Sequence, residues 1–275
     1  NMVAKLLPFV PEHRTYVEPF CGAASLLWSK PPAAVETIND LDSGVYGFFK
    51  VLRDQPDEFM RLARLTEYGR ELYDECRENW QQEQNPVRRA WMWWVVAATS
   101  FSGNFGSTIS TAITASDRGM AAACSKFLSR IDEVLPACIE RIRRVQIEHM
   151  DAVYMMERYC TEDGFCYADP PYVGETRGSH GYSVDMRSTE KHEQLVRSIL
   201  EVPGAVLLSG YQHPVYEPLE RAGWERVDWH TACYAAGRTR GTGIQGEGSA
   251  TRAQQRVESV WLNPELQKRL WGMPF

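Results

Sequence analysis

Four consecutive residues, Asp169-Pro170-Pro171-Tyr172, carry the most specific chemistry in the sequence, and they directly follow a β-prone run at residues 164–168. Moving a methyl group onto an exocyclic amine of a nucleobase is difficult because the nitrogen lone pair is delocalised into the ring. The Asp169 carboxylate and the Pro170 carbonyl are acceptors that could hold the amine protons, and the two prolines fix φ and stiffen that carbonyl. Tyr172 offers a flat face on which an extruded base can stack, worth roughly 1–3 kcal/mol. Asp-Pro-Pro is also turn-prone, so the four residues alone leave an ordinary turn open.

A run of small residues after an earlier strand is the second feature. The strand covers residues 15–20 and breaks into Cys21-Gly22-Ala23-Ala24 before a helical pattern begins at Leu26. Small residues at a strand-to-helix turn let a ligand approach the backbone closely. Gly22 is the only glycine of the turn, so the GxGxxG fingerprint is absent, which weakens a nicotinamide or flavin interpretation. The run alone is equally compatible with a structural turn.

Acidic residues end two further predicted strands. Asp40 follows residues 35–39, and Asp151 follows the strand at residues 145–148. Open α/β sheets bind ligands beyond the carboxyl ends of their strands, and an acid about 20 residues after a glycine turn is placed to bind ribose hydroxyls. Taken alone, each acid is better explained as a helix N-cap.

The elements that must position these residues alternate at both ends of the chain and are helical in between. Strand and helix patterns alternate over residues 15–52, and they return after residue 144 with strands that include 164–168 and 205–209. This predicts an α/β fold with a mostly parallel, twisted sheet and helices on both faces. The stretch between carries amphipathic helical patterns, among them one helix over residues 124–144. We therefore predict a catalytic domain of residues 2–52 and 140–275 and an inserted, mainly helical lobe of residues 53–139.

Composition narrows the class of protein. Hydrophobic residues make up 44% and charged residues 24% of the 275, which is typical of a globular protein. There is no run of 18 apolar residues and no signal-peptide pattern, so we expect no membrane span and a cytoplasmic location. The seven cysteines include no CxxC pair and the six histidines no HxxxH or HExxH spacing. We therefore expect neither a disulfide framework nor a bound metal.

Positive charge is concentrated in particular segments, although the formal net charge is -6. A negative total argues mildly against a nucleic-acid partner, because phosphate binding requires cations. Residues 237–256, however, carry four arginines against one glutamate, a local charge of +3, on a glycine-rich segment that could contact phosphates. A solvated surface loop is the alternative. The predicted DNA-binding residues are these four, one beside the tetrapeptide and two at the start of an aromatic helix: Arg238, Arg240, Arg252, Arg256, Arg177, Arg88 and Arg89.

Taken together, these features resemble the adenine-specific DNA methyltransferases of the D12 or Dam-like class, in the order typical of its α group. The resemblance runs through most of the chain and includes Ser100-Phe101-Ser102-Gly103 in the lobe and a last strand at residues 258–263. It implies an N-terminal cofactor motif at Lys5-Leu6-Leu7-Pro8, a cofactor turn over residues 16–23, and a ribose-binding motif at Ile38-Asn39-Asp40-Leu41. The cofactor residues implied in this way are Lys5, Tyr16, Glu18, Pro19, Phe20, Cys21, Gly22, Ala23, Asp40, Leu41, Asp151 and Asp169.

The resemblance implies a Rossmann-like methyltransferase fold that uses S-adenosylmethionine to methylate the N6 amino group of adenine in double-stranded DNA, with base flipping. Asp169, Pro170, Pro171 and Tyr172 would be the catalytic residues. Methylation of cytosine at N4 uses the same acceptor logic, usually with serine in place of the aspartate. A DNA-binding homologue without activity is a further alternative, and the intact tetrapeptide argues against it.

Overall fold

The computed structural model describes residues 2–173, 188–233 and 254–272, with the backbone alone at residues 231–233 and 254–256. Its centre is a seven-stranded sheet in the order β3-β2-β1-β4-β5-β7-β6. Strands β1 to β5 pair in parallel, and β7 runs antiparallel to both β5 and β6. This confirms the predicted α/β fold with a mostly parallel sheet. The strands are β1 Thr15–Glu18, β2 Val35–Asn39, β3 Val145–Glu148, β4 Gly164–Ala168, β5 Ala205–Tyr211, β6 Glu225–Cys233 and β7 Gln254–Leu262.

The strand order reverses direction at β1. Strand β2 lies on one side of β1 and β4 on the other, so the chain leaves this point in both directions along the sheet. A crevice opens beyond the carboxyl ends of the strands at such a switch point, and ligands bind there. β4 is buried along its whole length, as expected for a central parallel strand covered on both faces. The topology therefore brings the turn after β1 and the tetrapeptide after β4 to the same edge of the sheet.

Twelve α-helices are present in the described parts of the chain. Near the termini and after β3 they are α1 Met2–Leu6, α2 Ser25–Ser29, α9 Ala152–Tyr159, α10 Thr189–Leu200, α11 Glu217–Arg221 and α12 Pro264–Trp271. Between β2 and β3 they are α3 Ser43–Asp54, α4 Pro56–Arg64, α5 Arg70–Asn79, α6 Pro86–Thr99, α7 Ala122–Ser129 and α8 Leu135–Ile142.

The helical pattern predicted over residues 124–144 is present, with a π-helical turn in its middle. Helix α7 passes through a π-helical turn at Arg130–Val134 before α8 begins. Pro136 stands in the first turn of α8 and has no N–H to continue the hydrogen-bond ladder, which accounts for the wider turn before it.

The helices between β2 and β3 share one core with the sheet. Ile38 of β2, Phe49 of α3, Trp94 of α6 and Leu135 of α8 belong to the same buried cluster. The ring of Trp94 lies 5.3 Å from that of Phe127, so this buried tryptophan of α6 packs into the core. Helices α3 and α8 cross the boundaries predicted at 52/53 and 139/140, so the division into domain and lobe stays a prediction.

Candidate active site

A pocket of about 300 Å³ lies beyond the carboxyl ends of β1, β2 and β4. It is lined by residues from the turn after β1, the acids after β2 and β3, and the tetrapeptide after β4. Helix α1 covers it with Met2, Val3 and Leu6. The residues predicted from sequence that line it are Glu18, Pro19, Phe20, Cys21, Gly22, Ala23, Asp40, Leu41, Asp151, Asp169 and Pro171.

The turn after β1 has a left-handed backbone at two positions, Gly22 with φ 45° and Ala24 with φ 51°. A Cβ added at Gly22 would meet no atom within 4 Å, so it would stand in open space, and the backbone there is accessible to a ligand. Asp40 holds the turn in place, since its Oδ2 accepts a hydrogen bond from the Gly22 N–H at 2.9 Å and its Oδ1 accepts one from Asp42 N–H at 2.9 Å. Each carboxylate oxygen has a second lone pair, which leaves Asp40 able to accept from ribose hydroxyls as well.

The alternative that Asp40 and Asp151 are helix N-caps is wrong for Asp40 and right for Asp151. Helix α3 is capped by Asp42, whose carboxylate accepts from Gly44 and Val45 N–H groups, so Asp40 has no capping role. Asp151 does cap α9, accepting from Val153 N–H at 2.9 Å, and it lines the pocket at the same time.

Asn39, which the sequence placed only within a motif, joins two of the loops around the pocket. Its side-chain amide donates to the carbonyls of Pro19 and Met150, at 2.9 and 3.0 Å, and its Oδ1 accepts from the Met150 N–H at 2.9 Å. The side chain is 1% exposed and lies at the end of β2. It therefore ties the turn after β1 to the segment that leads into Asp151.

Glu18 presents a buried carboxyl group to the pocket. Tyr16, which is fully buried behind it, donates its hydroxyl to Glu18 Oε2 at 2.9 Å. Burial raises the pKa of Glu18 to about 8, and the nearby Asp169 charge adds to the increase. At neutral pH the carboxyl is thus mostly protonated in the cofactor-free protein.

Two of the predicted cofactor residues, Lys5 and Tyr16, do not line the pocket, and Lys5 is turned to another partner. Its Nζ lies 5.6 Å from the centre of the Trp229 ring, although its neighbours on α1 line the cavity. The assignment of Lys5 to the cofactor site stays a prediction.

The tetrapeptide presents its residues in different directions. Asp169 is exposed and, with Pro171, lines the pocket, whereas Pro170 is buried. The Tyr172 ring lies against the ring of Tyr211, with centroids 4.2 Å apart and planes at 37°. Tyr211 is the last residue of β5, and no sequence motif singled it out. The tetrapeptide thus runs from the cofactor pocket at Asp169 to an aromatic pair at Tyr172.

Most of the predicted DNA-binding arginines lie outside the described residues. These are Arg177, Arg238, Arg240 and Arg252, while Arg256 falls on β7 where only the backbone is described. Arg88 is exposed and ion-paired with Glu83 at 3.1 Å. Arg89 donates to Ser43 Oγ at 3.1 Å and lies over the Trp80 ring.

The described residues contain no group of three His, Cys, Asp or Glu side chains that could hold a metal ion. Over the same residues, none of the helices combines the length and apolar character that crossing a bilayer requires.

The switch-point pocket, the turn fixed by Asp40 and the proline tetrapeptide are the features expected of a Rossmann-like methyltransferase that acts on an amino group. The family model of the D12 class N6 adenine-specific DNA methyltransferases matches residues 1–230. The chain belongs to this family, which confirms the resemblance drawn from its motifs, and both family and fold imply that S-adenosylmethionine is the methyl donor.

Three solved structures show low similarity to the chain. The first is a protein of Pyrococcus horikoshii assigned as an RNA methyltransferase, with 6% identity, a TM-score of 0.35 and coverage of 95% of this chain and 82% of that one. The second is the rRNA methyltransferase aviRa of Streptomyces viridochromogenes, with 13% identity, a TM-score of 0.34 and coverage of 96% and 81%. The third is a protein of Thermoplasma acidophilum assigned as a methyltransferase, with 8% identity, a TM-score of 0.31 and coverage of 92% and 67%. Scores at this level carry no information on substrate. No curated protein matched the chain in a sequence comparison.

Proposed function

We propose that the pocket binds S-adenosylmethionine and that the tetrapeptide receives an adenine flipped out of double-stranded DNA. The observation that carries the proposal is that one cavity is lined both by Asp40 and Asp151, which follow β2 and β3, and by Asp169 and Pro171, which follow β4. Donor and acceptor sites that share a cavity allow direct transfer of a methyl group without a carrier on the protein.

The lining residues suit the parts of the cofactor. Asp40 is available to ribose hydroxyls, and Leu41 with Ala152 offers apolar contact for the adenine ring. The open backbone at Gly22 allows close approach, and the buried Glu18 carboxyl lies where a cationic group would favour its ionised form. The bound cofactor supplies an activated methyl group on a sulfonium, which requires no metal.

The tetrapeptide acts on the target amine through acceptors. Asp169 accepts a hydrogen bond from one amine N–H, and the Pro170 carbonyl accepts one from the other. This arrangement favours a tetrahedral nitrogen with its lone pair free. A carboxylate is far too weak a base to deprotonate an adenine amine. Asp169 therefore stabilises the positive charge that develops on nitrogen as the N–CH3 bond forms and the S–CH3 bond breaks, which is preferential stabilisation of the transition state. The methylated nitrogen, now strongly acidic, then releases one proton to Asp169 or to solvent, which gives the neutral product.

A base can reach these acceptors only when it is outside the duplex stack. Tyr172, paired with Tyr211, offers the flat face on which the extruded adenine stacks. We assign phosphate contacts to the predicted arginines and target recognition to the lobe of residues 53–139, with the protein acting on DNA in the cytoplasm.

The test is to identify the product on DNA. Double-stranded DNA is incubated with the protein and S-adenosylmethionine in EDTA, digested to nucleosides and analysed by mass. We expect N6-methyladenine with the wild-type protein and none with Asp169→Ala. N4-methylcytosine would contradict the adenine assignment, and no methylated nucleoside from any of several DNA sequences would favour the inactive homologue. In parallel, calorimetry should show loss of cofactor affinity in an Asp40→Ala, Asp151→Ala double variant.

A further inference from the structure

A fully buried histidine that does not line the pocket contacts the catalytic tetrapeptide. His192 lies in the first turn of α10, is 0% exposed, and has its Nε2 3.0 Å from the carbonyl oxygen of Pro171. A carbonyl can only accept, so Nε2 carries the proton and donates it. In the neutral imidazole Nδ1 is then an acceptor, and the hydroxyl of Tyr216 lies 2.9 Å from it.

Tyr216 is held by the core beneath the site. It is 1% exposed, and its ring lies 4.7 Å from that of Trp261 on β7. A Cβ added at Gly210 of β5 would lie 3.3 Å from Trp261 and 3.4 Å from Tyr216, so the strand packs closely against this pair. Burial, with the Asp169 charge as a smaller cause, raises the pKa of Tyr216, which keeps its hydroxyl protonated and able to donate.

The tetrapeptide needs such a partner because of its own composition. Proline has no N–H, so Pro170 and Pro171 themselves offer only carbonyl oxygens to hydrogen-bond partners. In the proposed function the Pro170 carbonyl faces the target amine, and the Pro171 carbonyl is the one that His192 holds. Proline fixes φ but not ψ, and a hydrogen bond to the Pro171 carbonyl fixes the peptide plane that leads into Tyr172.

We propose that His192, oriented by Tyr216, is a positioning residue for methyl transfer. It fixes the peptide between Pro171 and Tyr172, and thereby the Pro170 acceptor and the aromatic face that receive the base. This inference rests on the proposed function of the tetrapeptide. His192 does not line the cofactor pocket, so its loss should affect the transfer step more than cofactor binding.

Four variants of the full-length chain test this role. His192→Leu removes the donor, His192→Gln keeps an N–H at the distance of Nε2, and Tyr216→Phe removes only the hydroxyl that orients the imidazole. Leu195→Ala is the matched control, since Leu195 is fully buried on the same helix and in the same core cluster as the residues around Tyr216. Single-turnover transfer of labelled methyl is measured with enzyme in excess, together with cofactor affinity and the thermal unfolding midpoint.

We expect His192→Leu to slow transfer by on the order of 100-fold, because displacements of about 1 Å at a reacting centre cost that much. Tyr216→Phe should cost roughly 10-fold and His192→Gln should recover most of the loss, with cofactor affinity within about 3-fold throughout. Leu195→Ala should lower the unfolding midpoint yet transfer at near the wild-type rate.

Rate losses that simply follow the unfolding midpoint, with Leu195→Ala as slow as His192→Leu, would overturn the inference. The inference would also be overturned if His192→Leu, His192→Gln and Tyr216→Phe all transferred methyl groups at the wild-type rate. If His192→Leu does not fold, a wild-type rate in Tyr216→Phe counts against the role and a slowed rate that salt and temperature do not restore supports it. Failure of the proposed function looks different, because the wild-type protein would then form no N6-methyladenine or Asp169→Ala would remain active.

Discussion

The two halves of the pocket are held in place by different means. On the cofactor side, side chains that are neighbours in sequence bind the backbone of the loops: Asp40 holds Gly22 and Asp42, and Asn39 holds Pro19 and Met150. On the target side, the tetrapeptide is reached by His192, 21 residues further along the chain. The turn after β1 presents an N–H that a carboxylate can hold, whereas the two prolines of the tetrapeptide present only carbonyls, so their partner must be a donor such as His192.

The largest expected effect lies on the target side. Asp169→Asn keeps the shape and one acceptor oxygen but loses the charge that stabilises the developing cation. We expect DNA and cofactor affinities within a few-fold of wild type and a methyl-transfer rate lower by on the order of 100-fold or more. Single-turnover transfer with enzyme in excess isolates this step from product release.

Asp169→Ala should transfer more slowly still, because the amine then lacks that acceptor altogether. A near wild-type rate in Asp169→Asn would mean that the carboxylate charge is not catalytic and that the tetrapeptide is an ordinary turn.

On the cofactor side the sharpest single change is Asn39→Asp. The substitution turns the donors to Pro19 and Met150 into an acceptor, so two loops lose their anchor and a buried charge faces carbonyl oxygens. We expect a cost of about 1–3 kcal/mol or more in unfolding free energy and a similar loss of cofactor affinity, roughly 10-fold or greater. Transfer at saturating cofactor should remain within a few-fold of wild type.

Calorimetry and chemical denaturation measure the two effects. The control is Asn79→Asp, an exposed amide on α5. If Asn39→Asp instead lowers the transfer rate at saturating cofactor and leaves affinity intact, the two sides of the pocket are not separable in the way we describe.

The distance along the chain between interacting residues explains what the sequence could predict. The mostly parallel sheet and the motif positions follow from local patterns, since strand alternation and small-residue turns are written within a few residues. The capping role of Asp42 rather than Asp40 depends on where α3 begins, and the contacts of Asn39 and His192 depend on which loops and helices meet. Tyr211 becomes part of the site only because β5 lies beside β4. Partners separated by 20 to 111 residues leave no short-range signal.

A smaller effect concerns the pH dependence of stability on the cofactor side. Burial raises the pKa of Glu18 from its ordinary value of 4.5 to about 8, so the folded protein binds a proton there that the unfolded chain has already released. The contribution of the Glu18 carboxyl to the free energy of unfolding is fully present below pH 4.5 and is lost as the pH rises toward 8. Asp40, whose pKa burial also raises, contributes in the same direction.

We therefore expect the unfolding midpoint of the cofactor-free protein to fall by roughly 5 °C or more between pH 5 and pH 8. Glu18→Gln, which mimics the protonated form and keeps an acceptor for the Tyr16 hydroxyl, should flatten most of that slope. If the plots of unfolding midpoint against pH are parallel for the wild-type protein and Glu18→Gln, Glu18 is ionised in the folded protein.

The smallest expected effect concerns the salt dependence of DNA binding. In our proposal, DNA contacts only the target side of the pocket. Replacing Arg238 and Arg240 by alanine should reduce the slope of log affinity against log salt by roughly 1.8, at about 0.9 per phosphate contact on duplex DNA, and leave cofactor affinity unchanged. Arg88→Ala should reduce the slope by less than about 0.9, because Glu83 already pairs with that guanidinium.

Arg53→Ala is the control. Arg53 is paired with Asp54 at 2.8 Å, so its replacement should leave the slope unchanged. Salt titrations of a labelled duplex from 50 to 200 mM measure all three. An unchanged slope in the double variant would make residues 237–256 a solvated surface segment, and a loss of cofactor affinity would place them on the wrong side of the pocket.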